Sequence, residues 1–390
     1  MLADSQKISR VLKGKPFGDG SDGAYSSATI PTMVKEGCSG AAAGTTLTAD
    51  GTTISDGDVV LIHQSRGTGT GNWEINKVAS GGGSVNLVMQ ENLANTYTDS
   101  GISDAQITKI PQYTDVTVET GTWTLTGWDT NTGGILTFAA NGTVIVTGTI
   151  NANGANAVNG SSGAAVTAGG GFKGGVSFTS SGGYGYQGES SLGTGTTASA
   201  ANGSGGGGGG GGGNYNAGGG GGHASAGSAA TGSNGTNGVG GGTDGSADLT
   251  DMVFGGAGGG AAGNAGGEAS CGANGGGIVA IFAKDITITG TINTKGGSYL
   301  SNYRINGGAG AGGSCLIECE TATLGTTKIV ATGGTNNATP EKGGAGSVGR
   351  IAIHHSGIIT GTTSPTFSDT TDDSLVESTA GGAFLLSQFV

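Results

Sequence analysis

Side chains able to do chemistry are sparse in this 390-residue sequence, and their spacing limits what each could do. Four cysteines, Cys38, Cys271, Cys315 and Cys319, are too few to scaffold a chain of this length through disulfides. Cys315 and Cys319 fall four apart in a strand-like segment, where side chains i and i+4 stand about 13 Å apart at roughly 3.3 Å per residue. That is beyond the reach of a bridge. A zinc site needs Cys or His pairs brought close, yet the adjacent pair His354 and His355 would send its rings to opposite faces of a strand. The cysteines therefore read as small buried thiols in a core, and no metal or other cofactor is expected. The loop Gly-Asp-Gly-Ser-Asp-Gly at 18–23 has a passing likeness to a calcium loop but lacks the spaced acidic ligands and closing glutamate, so it reads as a turn. Glycan hydrolysis would require two carboxylates facing one groove. Acidic residues occur singly or in groups such as Asp369, Asp372 and Asp373, and no Gly-x-Ser-x-Gly or His-Asp-Ser arrangement stands out. The expectation is a protein that is not an enzyme, with a polysaccharide depolymerase on a β-helix as the least favoured class.

Recognition is better served than catalysis. Tyr184, Tyr186, Tyr215, His223, Tyr299, Tyr303 and Arg304 are stranded among glycines. Tyrosine offers a flat apolar face with a polar tip, suited to sugar rings or protein loops. The competing reading for each is a packing anchor that covers a glycine layer. Fifteen basic residues against 27 acidic ones give a formal charge of −12, which argues against nucleic-acid binding through a basic face. No stretch approaches the roughly 20 apolar residues of a membrane span, so membrane insertion is not expected. Residues 1–18 contain no apolar run of secretory-signal type.

The elements that must position these residues fall into zones. Residues 1–130 carry short β-branched runs separated by Gly, Asn, Asp and Ser clusters, the pattern of an all-β domain for attachment or assembly. From residue 131 a repeat appears. Its first copy is Gly-Gly-Ile-Leu-Thr-Phe-Ala-Ala at 133–140, followed by Val-Ile-Val-Thr-Gly-Thr-Ile-Asn at 144–151. After a glycine-rich insertion at 155–275, a second copy reads Gly-Gly-Ile-Val-Ala-Ile-Phe-Ala at 276–283 and Ile-Thr-Ile-Thr-Gly-Thr-Ile-Asn at 286–293. Looser copies begin at 312 and 348, within a repeat zone that ends near 365, and residues 366–390 form a tail whose last eight residues read as an apolar strand. Aligning the copies places Leu136, Val279, Cys315 and Ile351 in one column and Phe138, Ile281, Ile317 and Ile353 in the next. Ala140, Ala283, Cys319 and His355 make a third. Columns two residues apart share a strand face, so these would be buried together in a stacked array, either a β-solenoid or a sandwich.

Glycine fills 90 positions and concentrates in the insertion, with an uninterrupted run at 205–213. Proline supplies only five residues and glycine does not recur every third position, which excludes collagen. A flexible Gly/Ser linker is one reading. It does not explain why the same glycine phrases recur before the third and fourth copies, at 307–313 and 343–346. The alternative is a bundle of extended glycine helices, with three residues per turn and no internal hydrogen bonds, in which neighbours without side chains pair their backbones. The nine-residue run would then span roughly 28 Å.

Across 155–275, and more weakly through Gly346, the sequence resembles the glycine-rich adhesins at the tips of T-even-type phage long tail fibres. The resemblance implies a layered polyglycine-II bundle whose loops bind a host outer-membrane protein or surface glycan. It also implies a virion or extracellular location, and other fibre proteins or copies of itself as partners. The long β-rich zone before the bundle and the β repeats after it depart from that family. A self-assembling extracellular filament subunit is the runner-up, because the terminal strand could complement a neighbour's sheet. The expected architecture is thus all-β: an N-terminal β domain, then stacked β repeats interrupted by a polyglycine-II-like bundle.

Overall fold

The computed structural model describes residues 2–160, 169–178, 183–212, 215–232, 235–263, 269–299, 304–336 and 341–376. Among the described residues, helix is confined to a 3-10 turn at Asp4–Gln6 and one α-turn at Ile8–Val11, α1. Strand β1, Gly23–Ser27, precedes six strands that close a barrel: β2 Lys35–Gly40, β3 Thr46–Ala49, β4 Val59–Arg66, β5 Trp73–Ser80, β6 Asn86–Met89 and β7 Asp104–Lys109. The barrel is antiparallel, in the order β2-β3-β6-β5-β4-β7. Every residue of β4 is buried because its two faces serve two cores. Val60 and Ile62 point into the barrel with Leu47, Leu87 and Ile107. Val59 and Leu61 join Trp73, the α1 residues Ile8 and Val11, and Phe254, Phe282 and Leu316 in a second core outside it. A strand covered on both faces loses the alternation of a half-exposed one, hence its continuous apolar start.

The remaining chain builds one large curled sheet. Its members are β1, β8 Gln112–Val118, β9 Thr122–Thr124, β10 Ile135–Val146, β11 Thr149–Asn151, β14 Ile278–Ile288, β15 Thr291–Asn293, β16 Ser314–Val330, β17 Arg350–His355, β18 Ile359–Ser364 and β19 Ser368–Thr371. The intervening β12, Asn159–Gly160, and β13, Ala269–Ser270, form a separate antiparallel pair. Among the described residues, all strand pairings within the large sheet are parallel. Leu136, Val279, Cys315 and Ile351 are register partners in sequence, as are Phe138, Ile281, Ile317 and Ile353, and Ala140, Ala283, Cys319 and His355. These columns face one core, which the sheet encloses because the long β16 pairs with β14 near its start and with β15 near its end. The array also extends before residue 131, the boundary expected from the repeat. Tyr113, Val116 and Val118 of β8 stand in register with Ala140, Val144 and Val146, and Trp123 of β9 opposes Ile150. This earlier rung lacks the Gly-Gly prefix that marked the others, so only its alternation carried the signal.

Glycine segments lie beside this sheet in a mutually hydrogen-bonded array. Along 256–262 successive N–H groups turn to three neighbours in rotation. Those of Gly256, Gly259 and Ala262 donate to Gly222, Gly219 and Asn216; those of Ala257 and Gly260 to Glu189 and Tyr186; those of Gly258 and Ala261 to Ala273 and Ser270. The same cycle runs through 207–211, where Gly207 and Gly210 donate to Ala257 and Gly260, Gly208 and Gly211 to Val239 and Thr236, and Gly209 to Ala198. Prefixes of the later repeats belong to the same array: Gly308 donates to Gly259, Ala309 to Gly344, and Gly310 to Gly297. The close approach excludes side chains. A Cβ on Gly258, Gly272 or Gly308 would meet a carbonyl of the next segment inside the 3.0 Å that real Cβ contacts essentially never show. Buried backbone groups are thereby paired where no conventional ladder exists.

Candidate functional site

The residues expected to recognise a partner separate into distinct environments. Tyr184 and Tyr186 are 49% and 39% exposed. Between them Gly185 is buried, its N–H 2.9 Å from Gly210 O, and Tyr186 is held by its own N–H to Val176 O and by Gly260 N–H to its carbonyl. The backbone is thus fixed within the array while both rings emerge from it. Tyr215 is half-buried against Ala261, Ala269 and Ile305, and the Arg304 guanidinium lies 4.1 Å from its ring centroid, a cation–π contact. Tyr299 is also half-buried, and desolvation raises its phenol above the usual range. Tyr303 lies outside the described residues. His223 corrects the expectation: it is fully buried, with Nδ1 2.7 Å from Gly312 O. Desolvation pushes its imidazole down to about 4, opposed by that backbone bond. It is an internal tie between two glycine segments and offers no surface to a receptor.

A cleft of about 170 Å³ opens beside Tyr186, with Thr130 on one side and Lys173, Val176, Gln187 and Thr194 along the others. Thr130 holds φ at +92°, a conformation that a β-branched residue adopts only when its surroundings impose it. Below it lies a buried ion pair between Arg66, from the end of β4, and Glu189. Arg66 Nε also pairs with Asp104 at 2.6 Å, and Nη2 donates to Thr130 O at 3.4 Å. Glu189 accepts from Trp128 Nε1 at 3.2 Å and from the Lys173 N–H at 2.8 Å. Burial raises the Glu189 carboxyl, with Arg66 and these hydrogen bonds pulling the other way. Gln187 is committed to the wall, donating to Ala200 O and accepting from Thr196 N–H, each at 2.9 Å. Apart from Tyr186, none of these residues stood out in the sequence. The available signal was an acidic and a basic residue, Glu189 and Lys173, inside a zone almost without charge. Nearby, Leu192 and Ile102 are 58% and 62% exposed.

Acidic groups gather elsewhere. A Cβ on Gly37 would collide with both Asp99 Oδ2 and Asp50 Oδ2, so these carboxylates converge over one point of the barrel. Asp99 is pushed up to about 6, by burial first and then by Asp50 and Asp104. Asn131 donates to Asp50 at 3.3 Å. On β16, Glu318 is fully buried and neither carboxyl oxygen has a hydrogen-bond partner, which raises it to about 8 by desolvation, with Lys7 countering and Asp372 reinforcing. The four cysteines are free and buried. His354 and His355 do face opposite ways: His354 bonds Asp248 O, His355 the Asp369 carboxylate. The 18–23 loop is a turn, with Gly23 N–H donating to Gly20 O. Among the described residues, no group of three or more His, Cys, Asp or Glu could hold a metal ion, and no helix is long and apolar enough to cross a membrane.

No family model matches the chain, and no curated protein matches it. Among solved structures, the Gp54 tailspike of Acinetobacter baumannii bacteriophage AP22, in complex with A. baumannii capsular saccharide, is similar with a TM-score of 0.20 and 10% identity. That alignment covers 89% of this chain and 57% of the tailspike, so this chain spans little more than half of its length.

Proposed function

We propose that the chain is a non-enzymatic structural and adhesive protein, of phage tail-fibre or surface-adhesin type, that recognises a cell-surface protein or glycan through the tyrosine-bearing face of its glycine zone. The observation that carries this reading is the three-residue rotation of N–H donors along 256–262 and 207–211. It matches a helix of three residues per turn without internal bonds and so supports a polyglycine-II-type bundle. Such a bundle has few side chains, so aromatic rings rooted in it stand on a rigid support, and ordering entropy is spent before the partner arrives. Parallel pairing that keeps the repeat columns in register from β10 through β14 and β16 to β17 supports a β-solenoid rather than a sandwich for the adjoining array. Low charge and tight backbone pairing suit a virion or extracellular appendage, with other fibre proteins or further copies as assembly partners. The test is binding of purified protein to intact bacteria and to their isolated capsule and outer membranes, compared with a Tyr184→Ala/Tyr186→Ala variant. Loss of binding with unchanged folding is expected. Undiminished binding by the variant would refute recognition through this face.

The converging Asp50 and Asp99 favour a second reading, a glycan hydrolase with the raised Asp99 as acid and Asp50 as the second carboxylate of the pair. Reducing ends released from capsule by the wild type and lost in Asp99→Asn would establish it in place of the first.

A further inference from the structure

Resting on the adhesive reading, we propose that the cleft between Thr130 and Tyr186 is a subsite for one pyranose ring bearing a carboxylate, a uronic-acid-type residue of a surface glycan. Its volume of about 170 Å³ falls below the roughly 300 Å³ at which drug-sized ligand pockets begin, so it suits a single ring rather than a chain. The lining combines the apolar Val176 and the aromatic Tyr186 with Gly174, Gly175 and Gly195, which contribute backbone alone. A sugar ring's C–H face stacks on such a surface, with its hydroxyls turned to the rim.

Charge at the cleft selects the substituent. Lys173 donates one Nζ–H to Asp129 O at 2.9 Å and has no ion-pair partner among the described residues, so two ammonium donors remain. Glu189, a carboxylate in the lining, shares the Arg66 guanidinium with Asp104 and accepts from Trp128 and the Lys173 N–H, so its charge is offset in part and its oxygens are held in place. Asp129 accepts the Asn131 and Thr132 N–H groups through one carboxylate oxygen, Oδ1. One residue, Arg66, ties Glu189 to the carbonyl of the strained Thr130, so these two parts of the lining are set by the same guanidinium. Backbone strain retained at a cavity wall, and a partnered acid beneath a cation with spare donors, together describe a site shaped in advance.

The test is titration of the intact protein with methyl glucuronide and methyl galacturonide, against the neutral methyl glucoside and galactoside, followed by saturation-transfer NMR. Carboxylated sugars are expected to bind in preference. Lys173→Met, which keeps the backbone N–H to Glu189, should weaken them about tenfold or more, the scale of one charge-assisted hydrogen bond, and leave neutral sugars unchanged. Tyr186→Ala should abolish both. Equal binding of neutral sugars with no effect of Lys173→Met would overturn the carboxylate assignment. Absence of any sugar binding by a protein that still attaches to cells through Tyr184 and Tyr186 would remove the subsite while sparing the adhesive function. Loss of cell attachment in every assay would remove both.

Discussion

Alanine at Gly308 asks the glycine array to accept one methyl group where it has no room. The Cβ would stand inside 3.0 Å of Gly219 O and of the neighbouring Gly219 and Gly220 backbone atoms, none of which can rotate away as a side chain would. Relief requires shifting the 216–222 segment. That movement strains the bonds from Gly259 N–H to Gly219 O at 2.9 Å, from Gly219 N–H to Gly208 O at 2.8 Å, and from Gly220 N–H to Ser228 O at 2.9 Å. Overpacking alone costs about 1–3 kcal/mol, and each of the three bonds, if lost, adds about 1 kcal/mol, so Gly308→Ala should destabilise by about 4–6 kcal/mol. Gly242 supplies the control in the same array. Its Cβ would find its nearest atom at 3.7 Å, an ordinary contact, and its φ lies outside the left-handed region. Gly242→Ala should therefore be neutral or stabilising by about 0.4–1 kcal/mol, through the unfolded chain. Urea unfolding of both variants by far-UV circular dichroism reads the difference directly. Equal midpoints for Gly308→Ala, Gly242→Ala and wild type would refute the close packing of these segments.

Stability should also carry opposite pH limbs. Glu318, raised from 4.5 to about 8 in the folded protein, contributes stability that is complete below its unfolded pKa and lost as pH rises to about 8. At about 1.4 kcal/mol per pH unit the loss is about 5 kcal/mol, so Glu318→Gln should flatten this limb in denaturant midpoints taken from pH 5 to 8.5. His63 and His223 are lowered from 6.5 to about 4 by burial, so their contribution is present above 6.5 and lost as pH falls through about 4. An acid limb that persists in Glu318→Gln is the expected sign of these two rings. Arg66→Met leaves Glu189 and Asp104 without their cation and should cost about 3–5 kcal/mol, of which much returns when Glu189→Gln and Asp104→Asn are added. Calorimetric melting of the single and triple variants checks that recovery.

The columns of the repeat were legible because parallel strands in register bring like residues together: Cys315 fills the place that Val279 and Ile351 fill on either side. A strand without its glycine prefix, such as β8, was harder to assign because alternation alone does not name a partner. Barrel closure was not legible at all, since pairing β2 with β7 depends on contacts some 70 residues apart in sequence that no local pattern records. Glycine segments present the extreme case. Without side chains, nothing in 205–212 specifies that its neighbours are 257–260, 236–239 and 198. Tyr184 and Tyr186 are exposed and His223 is buried, a distinction the sequence does not carry because a ring among glycines looks the same in either environment. The cleft escaped notice because Thr130, Lys173 and Thr194 meet only after the chain has folded, beside a Glu189 that is paired with an arginine from a strand of the barrel.

Amide hydrogen exchange across 205–212 and 215–222 tests most directly whether a hydrogen-bonded glycine bundle supports the recognition surface. Gly207 through Gly211 and Gly218 through Gly222 each donate to a carbonyl of another segment. Their exchange should be slowed to rates comparable with β14 and β16, and should accelerate together in Gly308→Ala. Exchange of these glycines at the rate of an unstructured peptide, while the β strands stay protected, would contradict the account and reduce the segment to a linker.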